Sequence, residues 1–106
     1  MHSQFSIGKR KIEIEINKFE NGSTVFIYED KRRFGTIAFA VPSLSGGEAM
    51  ITQMFGSTNE ITTRALAEYL TQKYKQMIIL SVFLSSKNDD PTILRALLQN
   101  FRKMQN

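Results

Sequence analysis

The stretch GSTNEITTRALAEYLTQKYKQMIILSVFL, residues 56–84, limits the folds open to this chain more than any other. Its last part, MIILSVFL at 77–84, carries no charge. An uncharged strand belongs at the centre of a sheet, covered on both faces. The segment before it places Ile61, Ala65, Leu66, Tyr69, Leu70 and Tyr74 at spacings of three and four. That period predicts an amphipathic helix ending near Tyr74. Ser57 and Glu60 have the spacing of a capping box, in which a hydroxyl and a carboxylate satisfy free N–H groups of the first turn. Thr58 is a competing cap, and Lys73 and Lys75 suit the negative end of the helix dipole. The strand follows almost without a loop, so the helix is expected to cover one face of its sheet.

Upstream, KIEIEIN at 11–17 alternates Ile12, Ile14 and Ile16 with Lys11, Glu13 and Glu15. A period of two puts isoleucines on one face and charges on the other, as in a half-buried antiparallel strand. Phe5 and Ile7 give a weaker strand before it. Glu20, Asn21, Gly22 and Ser23 supply a hairpin turn, because Asn-Gly tolerates the positive φ of a tight turn. The return strand, 23–29, sets Val25 and Ile27 against Phe26 and Tyr28. After a charged turn at 29–33, the strand FGTIAFAV at 34–41 sets Phe34, Ala38 and Ala40 against Ile37, Phe39 and Val41. PSLSGGE at 42–48 reads as a loop and 49–55 as a further strand. Residues 85–90 form a turn, where Asp90 caps a last helix that begins with Pro91. That helix carries Ile93, Leu94, Leu97, Leu98, Phe101 and Met104 on one stripe. The expected fold is α+β: an antiparallel sheet of five to six strands with two helices on one face, in the order β-β-β-β-α-β-α. At 106 residues the chain has room for one core, so residues 1–106 are expected to be a single domain.

Two helices cover one sheet face, yet the strands at 23–29, 34–41 and 77–84 have two apolar faces. An uncovered apolar face of that size marks a partner site. The expected partner-binding residues are Phe26, Tyr28, Ile37 and Phe39 on the second face, with Lys31, Arg32 and Arg33 at the turn beside it. The competing expectation is that sheet curvature and the loop at 42–48 close the gap.

The remaining motifs carry little chemistry. The chain has no cysteine, which excludes a disulfide framework, a thiolate nucleophile and Cys-ligated metal. His2 is the sole histidine and is expected to be a frayed terminal residue. Glu13 and Glu15 read as a solvent-facing row rather than an acid–base pair, and Asp89 and Asp90 as a helix cap rather than a metal site. Gly56, Ser57 and Thr58 precede a helix but lack a P-loop lysine. The triplets Lys9, Arg10, Lys11 and Lys31, Arg32, Arg33 are the best functional candidates by charge in a chain of net charge +4. They read first as solvated strand ends and a hairpin tip, and next as a surface for an acidic protein partner; with Phe5 and Phe34 near them, they allow a small basic nucleic-acid-binding domain as the alternative function. No metal or cofactor is expected. The opening MHSQFSIGKRK lacks the apolar run of a signal peptide, and no stretch is long and apolar enough to span a bilayer. The cytosol or nucleus is the expected location.

Read as a whole, the chain resembles the family of the fourth proteasome assembly chaperone. FGSTNEITTRALAEYLTQKY resembles that family's helix with its glycine, threonine and Leu-Ala elements. QMIILSVFLSS resembles the strand after it, with Ser81 and Leu84 in the family positions. NDDPTILRALLQNFRKM resembles the closing helix, and QFSI and FGTIAFAV fit more loosely. The loop at 42–48 and the tip at 31–33 carry no family pattern. The resemblance implies a heterodimer with the third proteasome assembly chaperone, formed through sheet surfaces. It also implies that the pair helps α-type subunits of the 20S core assemble into the α-ring, with no enzymatic activity, metal or nucleotide.

Overall fold

The computed structural model of the chain describes residues 1–43 and 50–104. The elements run β1 (His2–Ile7), β2 (Arg10–Phe19), β3 (Gly22–Glu29), β4 (Thr36–Val41), β5 (Met50–Phe55), α1 (Glu60–Tyr74), β6 (Met77–Phe83) and α2 (Pro91–Lys103). The expected order of elements holds, with the weak first strand present. Of the expected loop at 42–48, residues 44–48 lie outside the described residues, as does Ala49 of the expected strand.

The sheet has six strands in the order β1-β2-β3-β6-β4-β5. It is mixed, not antiparallel throughout as the sequence suggested: β3 and β6 pair in parallel, with Val25 opposite Leu80 and Ile27 opposite Val82. β6 follows a crossover through β4, β5 and α1, so it enters the sheet in the direction of β3, between β3 and β4. The uncharged strand therefore has two neighbours and lies inside the sheet, as its composition requires.

Registers show which side chains share a face. Ile12, Ile14, Ile16, Val25, Ile27, Ala38, Ala40, Ile78, Leu80 and Val82 lie on one side. They form one buried cluster with Leu66, Ala67 and Leu70 of α1 and Ile93, Leu97 and Phe101 of α2. Both helices thus cover the same face, as expected.

Two glycines are fixed by close approach. A Cβ on Gly22 would lie 2.7 Å from the Met77 carbonyl oxygen, and one on Gly35 only 1.9 Å from that of Val82. The hairpin turn itself is Glu20-Asn21, and the expected positive φ of the Asn-Gly pair does not occur. Gly22 is needed because β6 passes beside it. The strand expected from Phe34 starts at Thr36. Phe34 stays in the preceding loop and does not share the Ala38 face.

Helix α1 departs from its expected pattern. Its buried residues are Thr62, Thr63, Leu66, Ala67, Leu70 and Thr71, while Ile61 is 69% exposed. Threonines are tolerated inside because their hydroxyls find local acceptors: Thr63 donates to the Asn59 carbonyl (2.7 Å) and Thr71 to that of Gln76 (2.6 Å). The capping box at Ser57 and Glu60 does not form. The cap residue is Asn59, in the left-handed region at φ 52° without a side-chain cap bond. The turn before α2 substitutes: Asp89 accepts from the backbone N–H of Thr62 (2.8 Å) and Ile61 (3.3 Å). Asp90 caps α2 as expected, accepting from Thr92 N–H at 2.9 Å. Lys73 closes the pair by donating to the carbonyls of Phe101 and Met104 at the end of α2.

Glu29 is the last residue of β3, not part of an exposed turn, and is 2% exposed. Arg10 grips its carboxylate at 2.7 and 2.6 Å, and Ser85 N–H donates to it at 3.0 Å. These bonds, the Arg10 pair first, hold Glu29 down to about 2 from an ordinary 4.5, against the opposing effect of burial.

Two predictions follow from these contacts. The unfolded chain binds the Glu29 proton more readily than the folded one, so this stabilisation is full above pH 4.5 and fades as pH falls toward 2. Glu29→Gln should cost about 2 kcal/mol at neutral pH, because it removes the buried carboxylate that half-buried Arg10 grips. It should also flatten the acid limb of a stability–pH curve measured by urea unfolding. Asp89→Ala should cost about 1 kcal/mol by removing the cap of α1, with fraying in its first turn visible as faster amide exchange at Ile61 and Thr62.

Candidate interface on the open sheet face

The second sheet face is built by the alternate residues of the same strands. Registers align Glu15, Phe26, Ser81, Ile37 and Phe55 in one row across the sheet. Glu13, Tyr28 and Phe83 form the row on one side. Thr24, Ile79 and Phe39 form the row on the other. The centre is apolar and largely aromatic, and the β2 side is acidic. Phe26, Ile37, Phe39, Ile79 and Phe83 are half-buried, and Phe55 is 49% exposed. Phe39 and Phe55 meet edge to face at 5.9 Å.

The turn after β3 folds onto this face. Asp30 takes φ 67°, and Lys31 N–H donates back to the Glu29 carbonyl at 2.7 Å. The chain then carries Arg32, Arg33 and Phe34 over the sheet. Phe34 is 72% exposed, yet its ring meets Phe26 edge to face at 5.6 Å. Phe26, Arg32, Arg33 and Phe34 line a cleft of about 120 Å³. Gly35 ends the crossing, its N–H donating to Ser81 Oγ at 2.9 Å.

The basic triplet at this turn divides into three different environments. Arg32 forks onto Glu15 through Nε (2.8 Å) and Nη2 (3.0 Å). Tyr28 donates its hydroxyl to the same carboxylate. Arg32 first and Tyr28 second hold Glu15 down to about 2, and the bond to Glu15 with burial pushes Tyr28 up to about 12. Arg33 lies over the Phe83 ring, its Cζ 5.2 Å from the centroid. The Lys31 side chain is exposed.

The structure therefore brings Phe26, Tyr28, Ile37 and Phe39 onto one face and sets Arg32 and Arg33 against it. The other triplet does not assemble: Arg10 is committed to Glu29 on the covered side, and Phe5 opposes Ile12 on that same side. His2 is not frayed; it pairs within β1, and its Nε2 lies 3.0 Å from Glu13 Oε1. Ile79, Phe83 and Phe55 were not singled out from the sequence, although alternate residues of β6 and β5 carry them. The Glu15–Arg32 pair had no local signal, since its partners lie 17 residues apart. Among the described residues, no group of three His, Cys, Asp or Glu side chains could hold a metal ion. No helix among them is long and apolar enough to cross a membrane.

No protein-family model matches the chain, and no curated protein matches it. A solved structure does: the crystal structure of a novel chaperone complex for yeast 20S proteasome assembly. The match has a TM-score of 0.60 and 10% sequence identity, and it covers 96% of this chain and 93% of that one. At that identity the likeness establishes a shared fold.

The lock on Arg32 is testable by titration. Arg32→Ala removes the first cause of the low Glu15 value, so the Glu15 carboxyl should titrate closer to 4.5. Carboxyl-carbon NMR across pH 2–6 should show the midpoint rise while Tyr28 stays bonded.

Proposed function

We propose that this protein is a non-enzymatic chaperone for assembly of the 20S proteasome and that it acts as one half of a heterodimer. Its partner in this reading is a chaperone like the third proteasome assembly chaperone. The observation that carries the reading is the open apolar face of the sheet. It sits on a fold shared with a chaperone complex over 96% of the chain. Half-buried aromatic side chains in a contiguous patch gain most from a second protein surface, which removes them from water together. The pair would bind α-type subunits and favour their ordered addition to the α-ring, then leave when a later subunit competes for the same surface. No cofactor enters this mechanism, and the cytosol or nucleus is its proposed location.

The nucleic-acid alternative loses support from the geometry. Arg10 and Arg32, one from each triplet, are held by carboxylates. A track of free cations, on which backbone binding depends, is correspondingly shorter.

Co-expression with the third proteasome assembly chaperone should yield a stable one-to-one complex that retains α-type subunits. Phe83→Asp and Phe39→Asp, on half-buried positions of the open face, should each weaken that complex by about tenfold or more, with unchanged circular dichroism. Size-exclusion chromatography and calorimetry provide the test. Full affinity in both variants would place the partner elsewhere.

A further inference from the structure

A charge that a partner must answer stands on the open face. Of the cations at the turn after β3, Arg32 is neutralised within the molecule by the Glu15 fork. Arg33 is not: among the described residues no carboxylate pairs with it, and its guanidinium lies over the Phe83 ring, Cζ 5.2 Å from the centroid. That contact sets the guanidinium beside the apolar side chains of the sheet, with no hydrogen-bond partner for its N–H donors among the described residues. Water satisfies them while the face is open. A partner that covers Phe26, Phe34 and Phe83 excludes that water, and a guanidinium buried without an acceptor is strongly disfavoured.

We infer that Arg33 is a specificity-determining residue, and that the protein docking on this face presents an Asp or Glu carboxylate to it from within an apolar patch. Two features of the site fit a carboxylate. The planar fork of an arginine matches its two oxygens, and the contact with Phe83 already places the guanidinium on this face. A single free guanidinium amid apolar side chains also matches one acidic residue in a protein surface. A nucleic-acid backbone would call for a row of cations, and at this turn Arg32 is already taken by Glu15. The division of labour is then clear. The apolar residues supply area, while Arg33 excludes partners that lack the carboxylate, because they would strand its charge. Arg32, already paired, holds the turn in place.

The inference rests on the open face being a protein-docking face, but its test does not require the partner proposed above. A random peptide library displayed on phage is selected against the full chain, against Arg33→Gln, and against Arg64→Gln as an equal charge change on an exposed position of α1. The wild type and Arg64→Gln should enrich peptides with an Asp or Glu flanked by apolar residues, and Arg33→Gln should lose that enrichment. Peptides without an acidic consensus, or one that survives in Arg33→Gln, would overturn the inference. In the complex with the third proteasome assembly chaperone, Arg33→Glu should weaken binding by about thirtyfold or more. A complex indifferent to Arg33→Glu overturns the role of Arg33 and leaves the proposed function standing. Acidic peptide enrichment without any such complex does the reverse. Binding of a labelled single-stranded oligonucleotide that Arg33→Gln abolishes would assign Arg33 to phosphate and also overturn the carboxylate.

Discussion

The parallel pairing of β3 with β6 is the contact on which the rest of this structure depends. Apart from β6, the sheet consists of an antiparallel meander, β1 to β3, and a separate hairpin, β4 and β5. β6 enters between them and makes one sheet of both. Its Ile78, Leu80 and Val82 complete the floor under the helices, and its Ile79 and Phe83 complete the opposite face. The backbone allows this because Gly22 and Gly35 leave room for the carbonyls of Met77 and Val82. A central parallel pair is normally covered on both sides. Here the chain supplies helices for one side, and the other side is the molecule's most informative surface.

That surface is prepared for contact rather than simply left bare. The turn after β3 holds an exposed phenylalanine against Phe26, and the Arg32–Glu15–Tyr28 network fixes the turn without leaving net charge there. Such preorganisation reduces the entropy lost on docking, because the side chains of the turn are already placed. The geometry separates Arg32, paired with Glu15, from Arg33, which lies over Phe83 with no carboxylate partner among the described residues. On the helical side, Lys73, Asp89 and Asp90 spend their charges on helix ends.

Much of the fold was legible because local periods are strong. Ile12, Ile14 and Ile16 alternate as a strand must, and the two-sided strands placed apolar side chains on the sheet face opposite the helices before any coordinates. Features that join distant residues were not legible. Glu29 looks like part of a charged turn until Arg10 is seen across the sheet. Asp89 caps a helix far upstream, accepting from the N–H of Ile61, 28 residues earlier. The parallel pairing of β3 and β6 leaves no trace in either strand's composition. Threonines on the buried side of α1 misled the apolar pattern, since hydroxyls with local acceptors are buried as readily as methyl groups. In the candidate interface, Phe26, Tyr28, Ile37 and Phe39 followed from alternation alone. The split within Lys31, Arg32 and Arg33 required the geometry.

The central claim is that the open sheet face, and not the helical face, is where a partner docks. Hydroxyl-radical footprinting of the chain alone and with the third proteasome assembly chaperone tests it most directly, because it reads side-chain exposure residue by residue. The account predicts strong protection of Phe26, Phe34, Phe39 and Phe83, with Ile61 and Tyr69 on α1 oxidised at unchanged rates. Protection of Ile61 and Tyr69, with the four phenylalanines unchanged, would contradict it.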